Sequence, residues 1–497
     1  MEKFNGLKIS GAIGSGMVFQ RGKPIKVWGS ADEEHNGKTI GGCFGGVCTS
    51  CEIENGRWTL TFPPINEPVR DGLSLTVEFG RDKYRFEDIL IGDVYYVTGQ
   101  SNAYWRFDIY YQNIKNQDDD RGVDDIIRES EKMKIRFFRN SYMYYLDNTG
   151  EDEQGTVKIF EDTAPEAEWR EPLGRYDDFS ALGYLFAYYY SLKSNVPVGM
   201  IEVDASGYPL TTFAPNELCD KWQSDQDDGR GVYYMALDGV RNHLKSRFAY
   251  NQQFYPLFNL STSGVLWYQG ESDAENTELA RGREVYTFSY ELPELIGYYR
   301  EKMRDRDVPF YLVEFTPVYK VPVDGMPLQF IDTGCVRSEL GTVPSKVADT
   351  FIVPSGDLWT DDTYYNNIHP YCKAEQAERC AAYALARRGY ADSTVFAPTF
   401  EKCEYSEDGR SAAVYFRYAE NGISTYNGEP VKGVQARING EWTDAQARIC
   451  GDHLVVSSDD EITGVRYFAL TETNYPRDIN LVGGGGIPLP AFADYIK

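Results

Sequence analysis

One stretch constrains the fold more than any other: an apolar run at residues 89–97 leads directly into the bend Thr98-Gly99-Gln100-Ser101-Asn102. A run this continuous leaves no polar face for water, so it predicts a strand covered on both sides, as in a parallel sheet flanked by helices. Parallel strands need long crossovers, and the chain supplies them. Helical spacing at 180–193 is followed by a strand pattern at 198–203, and a second strand at 264–268 precedes a helical stretch at 295–304. Another strand follows at 310–315, and an Ala-rich helix with charges on one side closes the series at 373–388. This alternation predicts an α/β domain over 89–392 with its functional loops at the carboxyl ends of the strands, which puts Ser101, Gly207 and Gln269 on one rim.

The pattern is different on either side. Between 25 and 79, and again between 413 and 469, short segments alternate apolar with polar residues and are separated by Gly, Asn and Pro turns, which is the signature of half-buried antiparallel strands. The 497 residues, at about 150 per domain, accommodate a β-sandwich-like domain over 1–88, the α/β domain, and a second β domain over 393–497. Residues 180–193 are expected to be amphipathic, with one face on the sheet.

Composition then limits the partners. Lys and Arg total 50 against 76 Asp and Glu, a net charge of −26, which repels nucleic acid and anionic membranes. The 38 tyrosines suit buried cores and sugar-facing surfaces alike. The first residues lack a basic start followed by an apolar run, and no stretch stays apolar for about 20 residues, so a soluble, cytoplasmic protein is expected. Nine scattered cysteines fit reduced thiols better than a disulfide framework. Cys43, Cys48 and Cys51 cluster, but no fourth ligand completes a zinc spacing, and a strand-and-turn reading is preferred. The acidic run at 117–120 reads as a solvated loop.

The chain has no Gly-x-Ser-x-Gly elbow, phosphate-binding loop or His-Glu-x-x-His helix. Three distant segments stand out instead: Gly99-Gln100-Ser101-Asn102, Tyr268-Gln269-Gly270-Glu271-Ser272 and Asn367-Ile368-His369-Pro370. Taken singly they read as a turn, a buried polar pair and a helix entry. A serine hydroxyl is a weak nucleophile without a base, and the chain has four histidines. His35 and His453 fall in the β regions, and His243 lies in a helical-looking stretch. His369 comes after the last α/β strand and before the last helix, the position from which a general base would serve Ser101.

These segments, with Trp267 preceding the second, resemble the signatures of sialate O-acetylesterases within the SGNH/GDSL-like hydrolases. The similarity extends to Met17-Val18-Phe19-Gln20-Arg21, Gly92-Asp93-Val94, Phe179-Ser180-Ala181-Leu182-Gly183-Tyr184, Pro197-Val198-Gly199-Met200-Ile201, Val465-Arg466-Tyr467 and the tail from Asn480 to Phe492. The resemblance implies an SGNH-like three-layer domain with a parallel central sheet. It also implies a serine carbohydrate esterase that removes O-acetyl groups from sialic acids or another acetylated sugar, with no cofactor or metal. Ser101 would be the nucleophile and His369 the base. The backbone N–H groups of Ser101 and Gly207 and the Gln269 side chain would form the oxyanion hole, with Gln100 and Asn102 as substrate contacts.

Asn366 and Asn367 stand where such proteins often carry an Asp, and an amide cannot stabilise imidazolium as a carboxylate does. Glu271 is therefore expected to supply the charge, with Asp357, Asp361 or Asp362 in reserve. Ser206-Gly207-Tyr208-Pro209 replaces the usual Gly-Gly-Thr segment, so a pocket of different shape is expected. An acetylxylan or other hemicellulose esterase, and a carbohydrate-binding relative without catalysis, are the alternatives; oligomeric state is not determined by the sequence.

Overall fold

A computed structural model describes residues 6–116, 122–140, 159–227, 247–276, 287–317, 320–321, 329–330, 333–358, 368–426, 428–469 and 479–495. The chain divides into two compact units, Met1–Ser206 with Asn242–Val265 and Arg300–Val308, and Gly207–Arg241 with Leu266–Tyr299 and Pro309–Lys497.

The first unit is organised by one long strand, β1 (Asp82–Gly99). Up to Asp88 its residues are partly or fully exposed, and from Ile89 to Gly99 every residue is buried. The change follows its neighbours: the early part pairs antiparallel with Val69–Phe79, and the later part pairs parallel with β3 (Val198–Asp204). The expected boundary at residue 88 thus falls at a change of environment inside one continuous strand. β3 also pairs parallel with β2 (Ile135–Arg139), and in register Asp204 lies opposite Gly99, so β1 and β3 end together.

Helix α1 (Ala181–Ser194) is capped by Ser180, whose Oγ accepts the Gly183 N–H. Ten of its residues are buried, and they do not form a single stripe. The expected amphipathic helix is a core helix, because the run Ala-Leu-Gly-Tyr-Leu-Phe-Ala is apolar on every side. Its Tyr190 hydroxyl donates to Asp93 Oδ2 at 2.7 Å. Asp93 is fully buried and forms a two-point ion pair with Arg21 at 2.9 and 2.8 Å, which gives a structural role to the Gln20-Arg21 and Gly92-Asp93 segments. Buried charges are retained where partners meet both oxygens.

The same unit contains the antiparallel set Leu7–Ile9, Ile25–Ala31 and Arg57–Phe62. In its hairpin of Thr39–Phe44 and Val47–Glu52, Cys43 lies directly opposite Cys48, and the two form a disulfide. This corrects the expectation of reduced thiols throughout. A count of cysteines cannot show that two of them face each other across a hairpin; strand register does.

The second unit contains the parallel pair β4 (Phe310–Val313) and β5 (Thr350–Val353), α2 (Thr333–Lys346) and α3 (Lys373–Arg387). It also contains two four-stranded sheets built from residues 399–495. Val414, Phe416, Val456, Ala436, Val465 and Phe492 share their core. Glu314, just past β4, ties these parts together. Its Oε1 accepts from Arg337 at 2.9 Å and from the Ala491 N–H at 3.0 Å, and its Oε2 accepts the N–H groups of Ser355 and Gly356. A Cβ on Gly341 of α2 would stand 1.7 Å from the Ala491 carbonyl, so only glycine lets the helix approach the tail that closely.

Many tyrosines are core residues: Tyr95, Tyr96, Tyr110, Tyr184 and Tyr190 in the first unit and Tyr268, Tyr299, Tyr311 and Tyr383 in the second are fully buried. Among the described residues no helix is long and apolar enough to cross a membrane.

Candidate active site

In the first unit β1 ends at Gly99, whose φ of 141° lies where side chains are disfavoured. The chain turns there, and Ser101 opens the short helix Ser101–Tyr104. Gln100 closes this turn by accepting the N–H groups of Ala103 and Tyr104 through its carbonyl. Ser101 is half-buried, while Gln100 and Asn102 beside it are only 3% and 1% exposed. A serine at the mouth of a rigid turn between two buried amides can present its hydroxyl without backbone rearrangement.

Close by in the same unit, Arg139 Nε lies 3.1 Å from Glu202 Oε1, and its guanidinium covers the Tyr104 ring at 4.9 Å. The other Glu202 oxygen accepts the Ser180 N–H at 2.7 Å. Burial pushes the Glu202 carboxyl well above the usual carboxylate range, although the Arg139 charge opposes it. Nothing in the sequence pattern of β2 or β3 singled out this cluster.

The second unit holds the other expected residues. Gly207 is exposed with φ of 77°. Gln269 is fully buried and donates through Nε2 to Asp273 Oδ2 at 2.5 Å and to the Tyr208 carbonyl at 3.3 Å. Glu271, 1% exposed, opens the short helix Glu271–Asn276. His369 is half-buried just before α3. Burial, and then the charge of Lys373, pull its pKa down to about 4, so the imidazole is neutral and ready to accept a proton across the physiological range.

Sequence reasoning missed Lys373. It lies four residues beyond His369, is fully buried, and sets its ammonium 4.8 Å from the centroid of the Tyr268 ring. Burial pulls its pKa down to about 8, against the opposing charges of Cys372 and Glu271. Gln376, one turn on, donates to the Tyr268 hydroxyl and to Ser355 Oγ, both at 3.1 Å. A lysine at the head of an Ala-rich helix reads as solvated, and its burial is visible only once the strand carrying Tyr268 is in place.

Replacing Lys373 with Met removes the positive charge that acts on His369 while keeping an apolar stem. The acid limb of kcat/KM for acetate-ester hydrolysis should then rise from near pH 4 toward the ordinary 6.5. It should stop short, because burial is the larger cause. A limb unchanged in a pH series on the variant would show that the ammonium does not act on His369.

Asp357, a reserve partner for His369, is held by Arg379 through both oxygens at 2.7 Å. His35 is buried against Phe79 and 2.7 Å from Lys38 Nζ, and His453 stacks on Tyr415. His243, Asp361, Asp362, Asn366, Asn367 and the acidic run at 117–120 lie outside the described residues.

The fold is mixed α/β with added β-sheets. A carbohydrate acetylesterase from Xanthomonas citri has a similar fold, with a TM-score of 0.70 at 21% identity, covering 98% of this chain and 99% of that one. The chain belongs to the carbohydrate esterase family of sialic acid-specific acetylesterases, whose model matches residues 92–369. It is 25% identical to human sialate O-acetylesterase over 378 residues, 72% of this chain and 65% of that protein. Against the mouse sialate O-acetylesterase it is 23% identical, over 67% of this chain and 63% of the relative. The match thus spans slightly less than two thirds of these relatives' length.

Proposed function

We propose that the protein is a serine esterase that removes O-acetyl groups from sugars, with O-acetylated sialic acids as the foremost substrate class. The Ser101 hydroxyl attacks the acetyl carbonyl as His369 takes its proton. The tetrahedral oxyanion is met by the Ser101 and Gly207 N–H groups and the Gln269 amide, and His369 then protonates the departing sugar oxygen. Water, deprotonated by His369, releases acetate from Ser101 in the reverse sequence. Glu271 supplies the negative charge that steadies the imidazolium, and Gln100 and Asn102 shape the acetyl pocket. In this reading residues 89–392 form the SGNH-type three-layer domain, flanked by β domains over 1–88 and 393–497.

The observation that carries the reading is the Ser101 turn, a half-buried serine at the end of a buried parallel strand, in a chain of this esterase family. The neutral His369 supports it from the chemical side. The test is acetate release from a panel of O-acetylated sialic acids and acetylated xylo-oligosaccharides. Preference for the sialic acids is expected; preference for the xylo-oligosaccharides would move the protein to hemicellulose, and no release from any ester would leave a binding protein. On the preferred substrate Glu271→Gln should lower turnover far more than Asp361→Asn. Equal, small effects would reject Glu271 as the supporting carboxylate.

A further inference from the structure

Gln269 and the segment after Gly207 come from distant parts of the chain, and one side chain joins them. Asp273 Oδ2 accepts from Gln269 Nε2 at 2.5 Å, and the same carboxylate accepts the Leu210 N–H at 3.1 and 3.3 Å. Gln269 and Asp273 are four residues apart, and the Ala274 N–H bonds to the Gly270 carbonyl at 2.9 Å, so the helix start that follows the strand fixes their spacing.

The two hydrogens of the Gln269 amide are held unequally. One is gripped by a carboxylate at short range, the kind of charge-assisted bond that is strongest. The other reaches the Tyr208 carbonyl at 3.3 Å, beyond the usual distance for an N–H···O bond. An amide anchored by a carboxylate has a fixed plane.

We infer that Asp273 is a positioning residue for the esterase reaction: it anchors the Gln269 amide and the 207–210 segment as one unit, which fixes the orientation in which the amide meets the oxyanion. This rests on the serine-esterase reading above. The surroundings fit a single charged anchor. Glu291, fully buried in the helix Thr287–Met303, has its carboxyl pushed well up by burial and by the charges of Asp273, Glu339 and Glu294, which disfavours a second negative charge beside Asp273.

The test is a double-mutant cycle on the full chain with a chromogenic acetate ester, using Asp273→Asn, Gln269→Ala and the two combined. Asparagine keeps the size and one acceptor oxygen but loses the charge, so it perturbs folding less than alanine. Removing an oxyanion donor costs about 100- to 1000-fold in kcat, and Gln269→Ala should fall in that range. Asp273→Asn should lower kcat by about 10- to 100-fold with KM and the melting temperature near wild type. Because most of the effect of Asp273 passes through Gln269 and only the remainder through the 207–210 segment, the double variant should lose far less than the product of the two single losses. Multiplying rate losses, a wild-type kcat in Asp273→Asn, or a loss explained by reduced melting temperature would each overturn the proposal. A Gln269→Ala enzyme with full kcat would overturn it too while leaving the esterase standing. Hydrolysis that survives Ser101→Ala would bring down the serine reading itself, by a separate measurement.

Discussion

Ser101→Ala should lower kcat for acetate-ester hydrolysis by about 10^4- to 10^6-fold while leaving the protein folded. The size of the loss follows from the chemistry: without the hydroxyl no acetyl-enzyme can form, and the remaining oxyanion donors can only assist direct attack by water, a much slower route. The mildness for folding follows from the position. Ser101 is half-buried at the start of a four-residue helix, and alanine is a good helix former. Rapid-quench mass analysis should find one acetyl group on the wild-type peptide containing Ser101 and none on the variant. A variant retaining turnover within about ten-fold of wild type, with no label at residue 101, would remove Ser101 from the reaction; ten-fold corresponds to only about 1.4 kcal/mol of barrier, too little for a lost nucleophile.

What the sequence revealed follows from where the physics is local. The runs at 89–97 and 198–203 are apolar but for Asp93 and Glu202, so their pattern locates the second strand within one residue and the buried part of the first, while the exposed start of that strand at Asp82 escapes it. β2 was missed because Arg136 and Arg139 interrupt it. Arg136 is 2% exposed and is neutralised by Asp88 and Glu171, and no local pattern announces an ion pair formed across more than thirty positions. α2 was missed for the opposite reason: Gly334, Gly341 and Pro344 lower its helical propensity, and the close approach of Ala491 that requires Gly341 is a tertiary fact. The site divides in the same way. Ser101, Gln269 and His369 lie in motifs that a reader can find. Asp273 and Lys373 matter through hydrogen bonds and charges that depend on elements folding against one another, and an Asp or Lys at a helix start reads as an ordinary surface residue.

Glu314→Ala should be the most damaging single change to stability in the second unit, at about 3–5 kcal/mol. The side chain is 1% exposed and its partner Arg337 fully buried, so truncation leaves a guanidinium in the interior with its carboxylate gone. Three backbone N–H groups, those of Ser355, Gly356 and Ala491, lose their acceptor at the same time, each a further penalty when buried. Phe468, whose ring lies 3.9 Å beneath the guanidinium, cannot replace a negative charge. Urea unfolding followed by tryptophan fluorescence measures the loss. The decisive comparison is with Glu314→Leu combined with Arg337→Met, where both charges leave together. If the cost comes from a stranded cation, the double variant should recover a substantial part of it; if it comes mainly from the lost backbone acceptor, the double variant should be as unstable as Glu314→Ala. A variant with wild-type stability would mean that the Glu314 carboxylate is replaced by water, and that the buried ion pair is not what fastens the C-terminal tail.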